Sequence, residues 1–377
     1  MKHVVAGFFL ILFTSPAFAQ YDRYSMNEEA GIDTASGGNL YLNFNNLNYL
    51  RNHEYFNKIW DGYTLFGTQL NPQLSYYPHA RLRVDGGVWL HKEYGLNEVK
   101  VQPTFSVRWK SEKGKNTFLF GNILGNINHG FLDPVYDYER LITFRNEYGG
   151  QWLHHSKYLQ HDLFIHWDDM IHRGDTSQES FVAGYSARIN LMSHSSSRLY
   201  LPVQGYLNHH GGQINITTKN LTTLANSAIG LGFARNKKPE SKSFINEWRI
   251  EGYYVTYKDL SPNKGQIYKD GDAVTGNFLL KTTAHVDLML TYWKSNEFMS
   301  ALGNPLYQNI SSIGNPYFPK NRELLFMRLI WDEKLFDHFY AHFRLEPYYS
   351  MDESMFEYSY SLFICYRQNF LLKKNLK

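Results

Sequence analysis

The first residues in this 377-residue chain that could do chemistry are hydroxyls next to imidazoles. His154-His155-Ser156 and His194 followed by Ser195, Ser196 and Ser197 each offer a nucleophile and a base, the pair that acyl transfer requires. Both clusters fall where the chain is predicted to turn, and serine is common in turns for conformational reasons. We therefore assign no catalytic residue and expect that the protein is not an enzyme.

The histidines and the single cysteine form no metal-binding pattern. His209 and His210 are adjacent and are predicted to lie in a loop, and neither this pair nor His154-His155 has the spacing of a known metal site. Cys365 has no partner for an internal disulfide. The sequence predicts neither a metal site nor a cofactor.

A second pattern places charged residues at alternate positions of segments that are otherwise apolar. In 99–110, apolar residues from Val99 to Trp109 alternate with polar residues that include Lys100 and Arg108. Period two is typical of a strand with one apolar face and one polar face. The charged residues predicted to line the polar, inward faces are Arg81, Arg83, Asp85, Lys100, Arg108, Arg145, Glu147, Asp162, Arg188, Glu247, Arg249, Glu251, Arg328, Arg344, Glu346 and Arg367.

The alternation predicts about 16 strands, with about 14 to 18 compatible with uncertain boundaries. The predicted ranges are 39–46, 63–78, 81–92, 97–110, 116–126, 143–155, 159–168, 179–192, 198–208, 222–235, 244–257, 274–283, 287–294, 322–332, 338–349 and 356–370. Most of these ranges have the nine to eleven or so residues that a tilted strand needs to cross a membrane.

Long and short connections between the predicted strands tend to alternate along the chain. Six of the eight odd-numbered connections are long: 47–62, 127–142, 169–178, 209–221, 258–273 and 295–321. The even-numbered connections are all short. A bacterial outer-membrane barrel has this asymmetry, with tight periplasmic turns, longer external loops and an even strand count. The predicted fold is therefore an all-β, transmembrane, antiparallel up-and-down β-barrel with both termini in the periplasm.

Composition agrees with a wall that faces lipid. Aromatic residues make up 17% of the chain, yet its mean hydropathy is −0.45. A barrel accommodates both values, because apolar and aromatic residues face lipid while polar residues face the lumen. The formal net charge is only +3 and no long block of one sign occurs, so a nucleic-acid partner is not expected.

The two ends of the chain predict an exported protein. Residues 1–19 have a polar start, an apolar stretch and the small-x-small pattern Ala17-Phe18-Ala19, which together indicate a cleaved signal peptide. Residues 20–38 are predicted to be a periplasmic lead-in, 39–370 the transmembrane barrel and 371–377 a short C-terminal tail.

In architecture the chain resembles the outer-membrane porins and porin-like barrels of Gram-negative bacteria, although it carries no diagnostic motif. The resemblance implies an outer-membrane location, contact with lipid and lipopolysaccharide, and insertion by the barrel-assembly machinery. General porins are commonly trimers, so a homo-oligomer stays open. Members commonly end on an aromatic residue, whereas seven residues follow Phe370 here.

The resemblance implies a channel for passive or weakly selective passage of small hydrophilic solutes or ions. Two other functions stay open. One is a plugged structural or binding barrel that acts through its external loops, and the other is an outer-membrane lipid hydrolase like the barrel lipases and lipid A deacylases. The inward charges could form a selective constriction or ion pairs that fill a narrow barrel. Loop 127–142 could fold into the lumen or stay at the surface, and loop 295–321 could cap the external mouth.

Overall fold

Sixteen antiparallel strands close into one barrel in the computed structural model, which describes residue 26, residues 31–314 and residues 316–376. Each strand pairs with its neighbours in the chain, and β1 closes the barrel against β16. The predicted all-β, up-and-down barrel is thus confirmed. The predicted signal peptide lies outside the described residues, as does most of the predicted lead-in.

The strands, numbered in chain order, are β1 Leu40–Glu54, β2 Thr64–His79, β3 Leu82–Glu93, β4 Val99–Lys110, β5 Asn116–Asn122, β6 Tyr148–His155, β7 Leu159–Asp169, β8 Glu179–Ser193, β9 Ser197–Gly211, β10 Thr222–Asn236, β11 Ile245–Asp259, β12 Asp270–Thr282, β13 Val286–Asn296, β14 Asn321–Phe336, β15 Phe339–Ser350 and β16 Met355–Lys373.

The outer wall of the barrel is apolar and its inner wall is polar. In β4, Val101 and Phe105 are 60% and 53% exposed, while Thr104, Ser106 and Arg108 are buried. An outward Arg or Lys costs about 2–4 kcal/mol at the middle of a membrane. The alternation therefore determines which face of each strand points into the lumen.

Connections at the two ends of the barrel differ in length, as predicted. One end carries short turns such as 80–81, 283–285 and 337–338, and the other carries loops such as 123–147 and 297–320. We call these the short-turn end and the long-loop end. β1 begins and β16 ends at the short-turn end, where Leu40 pairs with Lys373.

Several predicted element boundaries are wrong. β1 runs to Glu54 rather than ending at 46, because the inward row continues through Leu47, Tyr49 and the residues beyond them, and their backbone pairs on both sides. β16 extends to Lys373, so the predicted tail begins inside a strand. His209 and His210 lie in β9, where they point to opposite faces, and not in a loop.

Two predicted inward-facing residues lie outside strands. Arg81 is in the turn before β3, where its guanidinium is 4.0 Å from the exposed Glu112 carboxylate. Arg145 belongs to the long loop before β6, because that strand begins at Tyr148 rather than near 143, yet it still lines the lumen beside Gln69 and Arg367. Arg81 keeps one backbone hydrogen bond to β4, donated by the Lys110 amide, but neither residue belongs to a strand, so alternation does not determine where its side chain points.

Two long loops fold back into the barrel, and we call residues 123–147 and 297–320 the plug. The amide of Leu132 donates to Oε1 of Gln204 on β9 at 2.6 Å, and Ser300 Oγ donates to the carbonyl of Val135 at 3.1 Å. A cavity of about 20 Å³ beside Leu132 has room for one water molecule. Of the two predicted positions for loop 127–142, lumen or surface, the structure therefore shows the lumen. Loop 295–321 also enters the lumen.

Helical structure is limited to single turns within the described part of the chain. They are Thr34–Ser36, Asn126–His129, Arg140–Thr143 and Pro305–Tyr307. No described helix has the length and apolar character needed to cross a membrane.

Candidate functional site

His129 connects the plug to the barrel wall. Its Nδ1 lies 2.7 Å from Asp162 Oδ2 on β7, and its Nε2 lies 2.9 Å from Glu147 Oε2. All three side chains are almost completely buried. Burial by itself lowers the pKa of His129, but the two carboxylates outweigh it and raise the pKa to about 9. The imidazole is therefore a cation that holds the loop against the wall.

A second charged cluster joins the plug to β1, β14 and β15. Arg51 Nε lies 2.9 Å from Glu139 Oε2, and Arg51 Nη1 lies 3.2 Å from Glu346 Oε2. Glu346 also binds Arg328 at 2.8 Å and Arg344 at 2.5 Å. These contacts resemble a network that fills a lumen more than the two opposed ladders of a constriction.

The other predicted lumenal charges form smaller groups or lie near the ends. Asp85 bridges Arg83 at 2.7 Å and Arg108 at 3.1 Å, and Arg249 lies 3.1 Å from Glu247 and 3.9 Å from Glu251. The guanidinium of Arg188 lies 4.7 Å from the centre of the Tyr200 ring. Lys100 is exposed near the long-loop end, and Arg367 is half-buried near the short-turn end. A role for these charges in selectivity stays a prediction.

Polar side chains on the outer wall form a cluster where β1 and β2 reach the long-loop end. Thr64 Oγ1 donates to Asn52 Oδ1 at 2.6 Å, and Asn52 Nδ2 donates to Glu54 Oε1 at 2.5 Å. Asn52 and Thr64 are cross-strand partners on the outward row. We call these three residues the rim triad.

The rim triad lies among exposed aromatic side chains. Glu54 pairs with Tyr358 and Asn52 with Tyr360 on β16, both on the outward row. Phe56 and Phe356 next to them are 80% and 66% exposed. Aromatic rings at this height are typical of the interface between hydrocarbon and headgroups. The triad thus places a hydroxyl, an amide and a carboxylate beside exposed aromatic rings on the outer wall.

The plug supports the rim triad from the lumenal side. Three inward-pointing side chains next to the triad in sequence all contact Glu139. They are Arg51 and His53, which alternate with Asn52 and Glu54, and Tyr63, which precedes Thr64. His53 Nε2 lies 2.7 Å from Glu139 Oε2, and the Tyr63 hydroxyl donates to Glu139 Oε1. Burial by itself raises the pKa of Glu139, but the His53 hydrogen bond and the Arg51 charge outweigh it and lower that pKa.

A hydroxyl–imidazole pair lies on the outer wall of β9 and β10. His209 Nδ1 is 2.8 Å from Thr223 Oγ1, and the two residues are cross-strand partners. The His209 ring lies 4.9 Å from that of Phe181. The distance suits a nucleophile and its base, so this pair is an alternative candidate for acyl chemistry.

The serine–histidine clusters singled out in the sequence stabilise short turns. Ser156 Oγ donates to the carbonyl of Leu159 at 2.9 Å, and His154 Nδ1 lies 2.8 Å from Asn116 Oδ1. The amide of His194 donates to the Ser197 carbonyl across the next turn. Both clusters lie at the short-turn end, opposite the rim triad.

Sequence reasoning missed the rim triad because it ended the first strand at residue 46. The signal was present, since Leu47, Tyr49, Arg51 and His53 extend the inward row and leave Asn52 and Glu54 on the outward row. In the described residues, no group of three or more His, Cys, Asp or Glu side chains is arranged to hold a metal ion.

Solved structures with a similar fold are outer-membrane proteins. OprD from Pseudomonas aeruginosa matches with a TM-score of 0.50 at 10% identity, over 90% of this chain and 96% of that one. OccAB3 from Acinetobacter baumannii gives 0.48 at 10% identity, over 88% and 99%. The trimer form of OmpT from Vibrio cholerae gives 0.49 at 8% identity, over 88% and 100%. The OprD match supports the barrel fold and nothing finer.

Sequence comparison supplies the family. No curated protein sequence matches the chain. Residues 32–375 match the family model described as "Lipid A 3'-O-deacylase-type". That family is defined by an enzymatic activity, so the expectation that this protein is not an enzyme is wrong. Since the match spans nearly the whole chain, this protein belongs to the lipid A 3'-O-deacylase-type family.

Proposed function

We propose that this protein hydrolyses an ester-linked acyl chain of lipid A in the outer membrane, and that the rim triad is its active site. The observation that carries the proposal is a hydrogen-bonded hydroxyl, amide and carboxylate on the outer wall of a member of this family. A lipid reaches the outer wall from within its own leaflet, whereas the plug blocks the lumen.

The proposal includes an orientation. The signal-peptide pattern supports export, and the apolar outer wall supports insertion in the outer membrane of a Gram-negative bacterium. We place the long-loop end outside and both termini in the periplasm, as loop asymmetry in bacterial barrels suggests. The rim triad then lies in the outer leaflet, at the depth of lipid headgroups.

Each residue of the triad has a proposed role. Glu54 is the general base that takes a proton from the attacking water and then gives it to the alkoxide that leaves when the ester C–O bond breaks. Thr64 turns its one hydroxyl proton from Asn52 Oδ1 to the carbonyl oxygen as negative charge develops there, and Asn52, which donates to Glu54, orients the base. A positioned base contributes about 10²–10⁴-fold to the rate, and one donor to an oxyanion contributes about 10²–10³-fold.

The first test measures release of fatty acid from lipid A by refolded protein in detergent, with mass spectrometry of both products. We expect Glu54→Gln to lower kcat by at least about 10²-fold. Thr64→Val should lower it by about 10²-fold, while Thr64→Ser, which keeps the hydroxyl, should retain most activity.

The matched control is Thr223→Val, which removes the hydroxyl of the His209–Thr223 pair. Full activity in this variant, together with loss in Thr64→Val, supports the rim triad. The reverse result would move the active site to His209 and Thr223. No hydrolysis by well-folded wild-type protein on any acylated lipid A would refute the proposed function.

Passage of small solutes is a second proposal, and the charged inner wall favours it. The predicted lumenal residues that lie in strands are spread over eight of the sixteen strands, which suits an aqueous interior. The plug has to leave the lumen before solutes can pass, because its side chains pack against the wall. This proposal therefore predicts a closed pore in the state described.

A further inference from the structure

Met26 precedes the barrel in sequence, yet its side chain lies inside the barrel and is only 1% exposed. It belongs to a buried cluster that combines inward-pointing side chains of β1 and β16 with side chains of the plug. The other members of the cluster are Leu47, Tyr49, Phe363, Cys365, Tyr138, Leu141 and Ile142. A residue of the predicted periplasmic lead-in thus packs in the lumen, between the wall and the plug.

Met26 lies on the short-turn side of the plug. Together with Leu47 and Cys365, which are partners across β1 and β16, it lines a cavity of about 20 Å³. Phe363, two residues nearer the long-loop end of β16, contacts the ring of Tyr138 in the plug, with 6.0 Å between the ring centres. The plug therefore covers the cluster on one side, and Met26 fills it from the other.

The chain is long enough to reach this position from the short-turn end. The Ser36 hydroxyl lies 2.7 Å from that of Tyr41, which places residue 36 at the start of β1. The ten residues from 26 to 36 can span about 35 Å when extended. Leu47 lies only about 20 Å along β1 from Tyr41. Met26 can thus enter through the open end of the barrel.

The cluster around Met26 holds the single helical turn Arg140–Thr143, which we call the plug helix. Leu141 and Ile142 of this turn are buried in the cluster. The side-chain amide of Gln69 on β2 donates to the carbonyls of Leu141 at 3.3 Å and Ile142 at 3.0 Å, and Gln69 also lines the cavity beside Met26. The plug helix is therefore fixed both by a polar contact to the wall and by the apolar cluster that Met26 completes.

The plug helix is directly connected to the support of the rim triad. Glu139 immediately precedes the helix, and it contacts Arg51, His53 and Tyr63 behind the triad. A shift of the helix would therefore move the carboxylate that holds these three side chains.

We propose that the N-terminal segment is an internal stopper: Met26 docks beneath the plug helix, closes the lumen from the short-turn side and keeps Glu139 in contact with the β1–β2 rim. An unbranched thioether suits this place, because it adapts to an irregular apolar space. Arg145 and Arg367 line the same cavity, so a cationic side chain at position 26 would be repelled from it. The effect on the rim rests on the proposed function, whereas the docking does not.

A disulfide to the native cysteine tests the docking. Cys365 is the single cysteine of the chain, and Met26→Cys adds a second thiol at the same cavity. We expect an intramolecular disulfide in protein isolated from outer membranes, detected as faster migration of heat-denatured protein without reductant. The matched control, Thr34→Cys, places the thiol in the exposed turn before β1 and should yield at least about tenfold less disulfide. Equal yields, or no disulfide in folded Met26→Cys protein, would overturn the proposal.

The reactivity of Cys365 provides the second measurement, because its thiol is buried in the cluster that Met26 completes. We expect a charged thiol reagent in detergent to label Met26→Lys at least about tenfold faster than wild type, and Met26→Leu at the wild-type rate. The gel shift on heating shows that each barrel has folded. Equal labelling rates in the three folded proteins would overturn the proposal, and the disulfide measurement decides it if Met26→Lys does not fold.

Hydrolysis of lipid A tests the connection to the rim. We expect Met26→Lys to lower kcat about tenfold with little change in KM, while Met26→Leu keeps the wild-type values. Equal kcat values in the two variants would overturn the connection. Wild-type protein that hydrolyses no lipid A would refute the proposed function instead, and the disulfide and labelling results would still decide whether Met26 docks.

Discussion

His129 is a buried cation between two carboxylates, and this arrangement makes the stability of the plug depend on pH. The pKa of the imidazole is about 9 in the folded protein, against 6.5 for an ordinary histidine. Because the pKa of His129 is higher in the folded protein than in the unfolded chain, protonation of its imidazole stabilises the native state. This stabilisation is complete below pH 6.5 and is lost as the pH rises from 6.5 through 9. We therefore expect the melting temperature of the wild-type barrel in detergent to fall between pH 6 and pH 9.5.

The variant His129→Gln isolates this contribution from other groups that titrate at high pH. It leaves Glu147 and Asp162 buried without their cation, so we expect a loss of about 3–5 kcal/mol at pH 6. Its melting temperature should change much less with pH than that of wild type. Parallel pH profiles for the two proteins would show that His129 does not carry the effect.

At the scale of elements, the plug and the β1–β2 rim are connected through Glu139. This carboxylate holds Arg51, His53 and Tyr63, which are direct chain neighbours of the rim triad. We expect Glu139→Gln to lower kcat for lipid A about tenfold with little change in KM, because Glu139 positions the triad and does not touch substrate.

The control for this prediction is Asn128→Ala, a change in the same loop that removes a hydrogen bond to Gly125 and leaves the contacts of Glu139 in place. It should keep wild-type activity. Equal losses in the two variants would mean that general loosening of the plug, rather than Glu139, limits the reaction.

At the scale of the whole molecule, the lumen and the outer wall serve different purposes in our proposals. Excision of residues 299–317, replaced by a short glycine–serine linker, removes most of the second of the two plug loops. We expect stable conductance steps from this variant in a planar bilayer, whereas wild-type protein should be silent. The width of a sixteen-stranded barrel is the physical reason, because its side chains alone do not fill the interior.

Excision of residues 213–220, in a long loop outside the plug, is the matched control and should leave the barrel silent. A folded 299–317 variant that conducts no ions would exclude solute passage as a second function. Equal conductance from both variants would instead show that any shortened loop opens the barrel.

Strand alternation and loop parity were enough to predict the barrel, its strand count and the faces of most charged residues. β4 illustrates why: an outward Arg108 would face lipid, so only one register is stable. The same rule explains the errors. Arg81 and Arg145 lie in a turn and a loop, where alternation does not apply, and the polar outward row of β1 hid the continuation of that strand.

The sequence by itself determined that the chain closes into a barrel with an apolar exterior, because each strand carries that information locally in its period of two. Only the tertiary structure decided which groups meet. Barrel closure brings Glu346 of β15 to Arg51 of β1, and the fold of the plug brings Glu139 to the same side chain. Hairpin register brings Thr64 to Asn52 on the outer wall. These contacts depend on register and on loop packing in three dimensions, and no local pattern of residues encodes either.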